Sequence, residues 1–125
     1  MVRELVLRKC NKCGALVKVL EECNCKCGLI CCEEEMKVVK ANSTDASAEK
    51  HVPTYEIKDD EIIVEVNHVM EDDHYIEWIS AVSMNEEQIK YLKPGMKAKA
   101  TFKYHEGMTL YSYCNKHSLW KKEVE

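Results

Sequence analysis

Beyond residue 54 the apolar positions come in short runs, at residues 55–58, 61–66, 74–84, 89–92, 97–104 and 109–114. Turn-forming groups part them, among them Asp59-Asp60, Lys93-Pro94-Gly95 and Glu106-Gly107. Runs this short, rich in aromatic and β-branched residues and with no convincing helix between them, predict strands packed as an antiparallel sandwich. Two earlier runs, at residues 1–9 and 16–20, predict two more strands joined by Cys10-Asn11-Lys12-Cys13-Gly14. That joint is a tight turn, with a glycine free to take a positive φ. Residues 41–48 hold Asn, Ser, Thr, Asp and Ala and no large apolar side chain, the composition of a linker or exposed loop. There is no internal repeat and no heptad run. The pattern therefore predicts an all-β chain: a small N-terminal module over residues 1–38 and a β-sandwich domain over residues 39–125.

Cysteine placement explains how so small a module could hold together. Seven of the eight cysteines fall between Cys10 and Cys32, and Cys114 stands alone after them. Clustering of this kind implies a local cross-link by metal or by disulfide. The opening nine residues mix charged and apolar side chains without an apolar core long enough for a signal peptide. No stretch approaches the ~20 apolar residues of a membrane span. A cytoplasmic protein is expected, with thiols kept reduced for metal. The net charge of −4, with no basic stripe, argues against a nucleic-acid partner.

Two constellations carry chemistry. In the first, Cys10, Cys13, Cys31 and Cys32 can surround one tetrahedral ion, the CxxC knuckle supplying two thiolates from backbone already bent. The adjacent Cys31-Cys32 pair should distort that tetrahedron, because neighbouring Cβ atoms diverge. Cys23, Cys25 and Cys27 compete from the intervening loop, and a structural zinc knuckle built from another four of the seven stays open.

The second constellation is His51, His68, His74, Cys114 and His117. Each lies at the end of a predicted strand, or in the turn or linker beside it, where loops on one rim of a sandwich gather. Four imidazoles and one sulfur form a set too rich in nitrogen for ordinary structural zinc, and point to redox iron or copper. His105, before Glu106-Gly107, reads as a solvated hairpin residue, and Ile76, Trp78 and Trp120 read as core and rim packing.

The chain resembles desulfoferrodoxin, the two-centre form of superoxide reductase. The resemblance is carried by Glu49-Lys50-His51-Val52-Pro53, His74-Tyr75-Ile76-Glu77-Trp78-Ile79, Leu92-Lys93-Pro94-Gly95 and Cys114-Asn115-Lys116-His117-Ser118-Leu119-Trp120, with Cys10, Cys13 and Cys31-Cys32 upstream. It covers essentially the whole chain, in the family's order. It departs at His68-Val69-Met70, where the family usually has His-Pro-Met. It departs again at Cys23, Cys25 and Cys27, where relatives tend to have a glycine-rich loop.

The resemblance implies a desulforedoxin-like module followed by an immunoglobulin-like sandwich. It implies catalytic ferrous iron held by the imidazoles of His51, His68, His74 and His117, with the Cys114 thiolate on the axis and one position open to solvent. Lys50 would steer the superoxide anion and orient water for protonation, and Glu49 would occupy the open position once the iron is ferric. A second iron, or zinc, would sit among Cys10, Cys13, Cys31 and Cys32. Superoxide as substrate, rubredoxin or a similar small reductant as donor, and a homodimer are further implications. The alternative is a non-catalytic two-iron electron-transfer protein, in which the C-terminal site is closed.

Overall fold

Short alternating runs do become strands: the computed structural model describes residues 4–26 and 28–125, and among them the one helical element is a 3-10 turn at Ala48–Lys50. Cys27 and the first three positions of the strand predicted over residues 1–9 lie outside the described residues. Leu5–Lys40 form one compact unit and Ala41–Glu125 lie in another.

In the first unit β1 (Leu7–Lys9) pairs antiparallel with β2 (Leu16–Lys18). Beyond these, β3 (Ile30–Cys31) and β4 (Glu34–Glu35) form a hairpin, and β5 (Lys37–Val38) returns to the free side of β1. The hairpin turns through Cys32 and Glu33, at φ 52° and 65°. Two consecutive positive φ values match the twist of a two-residue hairpin loop, a place usually taken by Asn-Gly. Side chains in the left-handed region cost about 1–3 kcal/mol each and persist where the surroundings over-determine them. The buried apolar residues among those described here are Leu7, Cys10 and Met36. So few cannot stabilise a unit of this size, which calls for a covalent or metal staple.

The second unit is a sandwich of two antiparallel sheets. One holds β6 (Thr54–Lys58), β7 (Glu61–Glu65) and β10 (Lys99–Lys103), with β7 in the middle. The other runs in the order β12 (Ser118–Glu123), β11 (Thr109–Cys114), β8 (Ile76–Val82), β9 (Glu87–Tyr91). Inward positions alternate along each strand, as the period of two demands. Ile62 and Val64 meet Ala100 and Phe102 from one sheet, and Ile79, Ala81 and Leu110 from the other. All six residues of β11 are buried, and on its other face Tyr113 stacks on Trp78 with centroids 5.5 Å apart.

Strand β12 was read from sequence as a turn and a packing residue. Its Lys121-Lys122-Glu123 end hides the alternation, yet it pairs with β11 from Thr109↔Glu123 to Cys114↔Ser118. An outer strand tolerates such charges, which also discourage pairing with another chain.

Where β11 ends, the register against β8 slips: Tyr113 faces Trp78 but Cys114 faces Ile76. The extra residue is Glu77, whose carbonyl accepts the Leu92 N–H at 2.8 Å. A bulge of this kind re-aims side chains at a functional rim.

The outer strands β9 and β10 belong to different sheets and are clipped together by one side chain. Gln88 Nε2 donates to Lys103 O and Gln88 Oε1 accepts from Lys103 N, both at 3.0 Å. At about 0.5–1.5 kcal/mol per hydrogen bond, Gln88→Ala should cost roughly 1–3 kcal/mol, read as a lower denaturation midpoint in a urea titration. An unchanged midpoint would show that the clip contributes nothing.

Candidate metal centre

Four turns and one strand end deliver the donors. The 3-10 turn Ala48–Lys50 closes on His51, whose N–H donates to Ala48 O at 3.2 Å. His68 follows β7, held by its N–H to Val66 O at 2.9 Å. His74 closes a four-residue turn in which Glu71 and His74 exchange both backbone hydrogen bonds, at 3.0 and 3.2 Å. Cys114 ends β11, and His117 lies in the turn to β12. One nitrogen of each histidine and the Cys114 sulfur all lie within 4.8 Å of one another.

The imidazoles form a closed ring in the order His51, His68, His74, His117, with successive centroids 4.7, 4.6, 5.1 and 4.9 Å apart and every pair edge to face. The Cys114 Sγ lies 3.4 Å from His68 Nε2 and 3.8 Å from His117 Nδ1. The far nitrogens settle which atoms face inward. His51 Nδ1 meets Ser47 O at 2.7 Å and His68 Nδ1 meets Val69 O at 2.5 Å. A carbonyl can only accept, so each Nδ1 carries the proton and each Nε2 presents a lone pair, the usual arrangement behind a metal ligand. Burial, above all, holds both rings below the ordinary histidine range, and for His51 the charge of Lys50 adds to it. Both therefore stay neutral, as coordination requires.

This donor set fits a metal ion. His74 Nε2 is buried with no hydrogen-bond partner among the described residues. His51 Nε2 faces His117 Nδ1 across 3.1 Å. An orphaned buried nitrogen costs free energy that a shared cation would recover. Four imidazoles and one thiolate suit a redox ion such as iron or copper.

Three residues support the donors in ways that the sequence does not announce. Trp120 stacks on His51 at 4.8 Å, and its Nε1 donates to His117 O at 3.0 Å, so one side chain braces two ligands. The buried Ser112 hydroxyl donates to His51 O at 2.6 Å. Asn115 bonds to both neighbours of His74. For Trp120 the one available signal was its spacing three residues after His117; Ser112 inside a strand gave none.

Glu49 and Lys50 are both exposed, on the turn that delivers His51. The Glu49 carboxylate is not among the converging donor atoms, and Glu49 lines a groove with Val52, Pro53, Tyr55 and Lys122. His105 is partly buried, with its Nε2 2.8 Å from a Glu86 carboxylate oxygen.

In the first unit the sulfurs of Cys10, Cys13, Cys31 and Cys32 form a second group within 4.8 Å. Cys13 Sγ lies 3.6 Å from Cys31 Sγ, and Cys31 Sγ 3.9 Å from Cys32 Sγ. The Cys13 N–H donates to Cys10 Sγ at 3.5 Å and, chiefly through that bond, lowers the Cys10 thiol to about 6. Cys31 moves the opposite way, up to about 12, because its S–H bonds to Cys13 and Cys10. A thiolate at the knuckle surrounded by thiols is a soft, sulfur-only site. It fits a second iron. Cys23 and Cys25 stand outside this group, their sulfurs each about 4.0 Å from carbonyls of their own turn. No helix among the described residues is long and apolar enough to cross a membrane.

Comparison with known proteins agrees with this geometry. The desulfoferrodoxin family model matches residues 43–123. A desulfoferrodoxin of Syntrophotalea carbinolica is 38% identical, over 98% of this chain and 99% of that protein. A desulfoferrodoxin of Nitratidesulfovibrio vulgaris is 37% identical, over 99% and 100%. Among solved structures, the superoxide reductase of Treponema pallidum superposes with a TM-score of 0.71 at 26% identity, covering 96% of this chain and 99% of that one.

Proposed function

The chain belongs to the desulfoferrodoxin family, and on that premise we propose that it is a superoxide reductase, an oxidoreductase that removes superoxide by one-electron reduction. The observation that carries the reading is the ring of four imidazoles with the Cys114 sulfur beside it, and a buried His74 nitrogen that nothing among the described residues satisfies. Iron in this site would be held by Nε2 of His51, His68 and His74, Nδ1 of His117 and Sγ of Cys114, and would supply the electron by passing from ferrous to ferric. The balance is one superoxide, one electron and two protons to one hydrogen peroxide.

The chain's own residues contribute attraction, protons and electron density. Four neutral imidazoles bring no charge, so the Cys114 thiolate would be the one anionic donor and would supply electron density to iron held there. Lys50, exposed on the turn before His51, is the cation that draws a small anion toward a chain of net charge −4. Its ammonium also orders water for protonation. Glu49, its neighbour, is the carboxylate we assign to closing the site after turnover; reaching the donors would take it out of the groove where it now lies.

We assign residues 1–38 to an electron-transfer or structural iron domain and residues 39–125 to the reductase domain. A rubredoxin-like reductant, a cytoplasmic location and a homodimer complete the proposal.

Two measurements test it. Superoxide supplied with a reductant should disappear with hydrogen peroxide formed and no oxygen evolved; oxygen evolution without reductant would make the protein a dismutase and overturn the reading. Lys50→Ala should lower the second-order rate several-fold and flatten its salt dependence, because attraction by a fixed charge is screened over ~10 Å at 0.1 M salt. Pulse radiolysis at two ionic strengths reads both quantities. An unchanged rate and slope would remove Lys50 from the mechanism.

A further inference from the structure

The five donors are not supported alike. His51 has a carbonyl behind its ring, a tryptophan against its face and a hydroxyl on its backbone. His68 has a carbonyl behind its ring, and the carbonyl of His117 is held by Trp120. His74 has neither a stacked tryptophan nor a hydroxyl on its backbone among the described residues, and its inward Nε2 is buried and unpaired. What fixes His74 is its backbone: beyond the Glu71 turn the hydrogen bonds come from one residue, and the exposed Lys116–Asp73 ion pair at 3.9 Å adds little. Asn115 Nδ2 donates to Asp73 O at 3.0 Å, and Asn115 Oδ1 accepts from Tyr75 N–H at 3.0 Å. The Asn115 N–H donates to Tyr75 O at 3.2 Å. The residue on each side of His74 is thus held by a single amide.

That amide belongs to the residue directly after Cys114. Cys114 sits beside the bulge, its pairing on β8 shifted by one residue to Ile76, and beyond it the ladder gives way to the Asn115 contacts. The Met70 sulfur occupies the neighbouring Ile76 N–H, at 3.4 Å. Beside the backbone pairing of Cys114 with Ile76 and of Asn115 with Tyr75, the side-chain link between the sulfur donor and the His74 turn runs through Asn115.

We propose that Asn115 is a positioning residue of the five-donor centre, its carboxamide bridging Asp73 and Tyr75 so that His74 is fixed relative to the Cys114 sulfur. It touches neither metal nor substrate. Its donor and acceptor ends are used at once, one toward a carbonyl and one toward an N–H, so only an amide side chain of this length satisfies both. The inference rests on reading these five residues as one iron centre and is independent of which reaction that centre performs.

The test uses the iron-loaded full-length chain. In Asn115→Ala the thiolate-to-iron absorption of the five-donor centre should shift. A chelator should strip that iron at about 10–100-fold lower concentration, the usual loss when a residue orienting a ligand is removed. The absorption of the four-cysteine iron in the same chain should stay unchanged, and a parent-like far-ultraviolet circular dichroism spectrum certifies that the sandwich is folded. Asn115→Asp keeps the acceptor for Tyr75 N–H but sets a carboxylate against Asp73 O, and should fall between the two. Gln88→Ala, remote from the centre, should lower stability without moving the band, which separates positioning from general loosening. An unmoved band with unaltered chelator sensitivity in Asn115→Ala overturns the proposal. Should that variant fail to fold, an Asn115→Asp protein indistinguishable from the parent overturns it equally. A chain that holds iron normally yet fails to reduce superoxide would refute the proposed function and leave this inference standing.

Discussion

Cys114→Ser is expected to erase the thiolate-to-iron absorption of the five-donor centre and to lower the rate of superoxide reduction at least a hundredfold. Two effects add. The hydroxyl of serine stays protonated at neutral pH, so the one anionic donor becomes neutral, and an imidazole-only set gives up both electron density and affinity for a soft metal. The substitution also falls at a fully buried position, at the end of a strand hydrogen-bonded on both sides, where the fold cannot shift to bring another group in. Orienting residues alone are worth 10–100-fold in affinity or activity, and loss of a direct donor should exceed that range. Absorption spectra and stopped-flow or radiolytic kinetics check the two halves separately. The four-cysteine absorption should persist. A variant that retains the parent rate would remove the sulfur from the catalytic set and leave the four imidazoles as the working site.

Leu110→Ala should cost about 2–5 kcal/mol, as large-to-small substitutions at fully buried sites do. Leu110 is completely inaccessible, is the second residue of β11, lies between Ala81 of β8 and Lys122 of β12, and packs into the cluster that joins the two sheets. Stability of a domain this size is about 5–15 kcal/mol in total, so the loss is a large share of it. With about 4–8 °C per kcal/mol for a domain of 60–100 residues, scanning calorimetry should show the sandwich transition falling by roughly 10 °C or more. Below that temperature the iron absorption should match the parent's, because the donors lie at the other end of β11 and in the loops beyond it. A cost under about 1 kcal/mol would mean that the neighbouring side chains collapse into the space and that the core is more plastic than its packing implies.

How much of this was legible beforehand follows from what each feature depends on. Metal donors are legible because few residue types can bind, so Cys10, Cys13, Cys114 and His117 announce themselves by type and spacing. Alternating strands such as β7 and β10 are legible because their inward residues must be apolar. Strand β12 was not: its position in the sheet is set by hydrogen bonds to β11, which its Lys121-Lys122-Glu123 end does not reveal. The turn at Cys32-Glu33 was hidden for the opposite reason, since neither residue prefers the positive φ it adopts. The expected distortion at Cys31-Cys32 thus has a backbone expression that composition does not contain. His105 shows a third kind of gap. It lies not in a hairpin but on the crossover from β10 to β11, and its partner Glu86, in the β8–β9 hairpin, comes within 2.8 Å only in the closed sandwich. Trp120 was read as packing, and packing is half of what it does; the other half, a hydrogen bond to the His117 carbonyl, depends on ring orientation.

Strand β11 is sealed along its whole length and flanked by partners on either side, while the imidazoles ride on connecting segments whose residues are largely open to water. Amide exchange tracks such differences, being slowest for interior strands and fastest for frayed loops. The sulfur is therefore moored to the part of the molecule that opens last, and the nitrogens to parts that breathe. Loss of the ion should begin by detachment of a histidine-bearing loop, long before the sandwich melts, and a chain emptied in this way would keep its sulfur in place to recapture the ion.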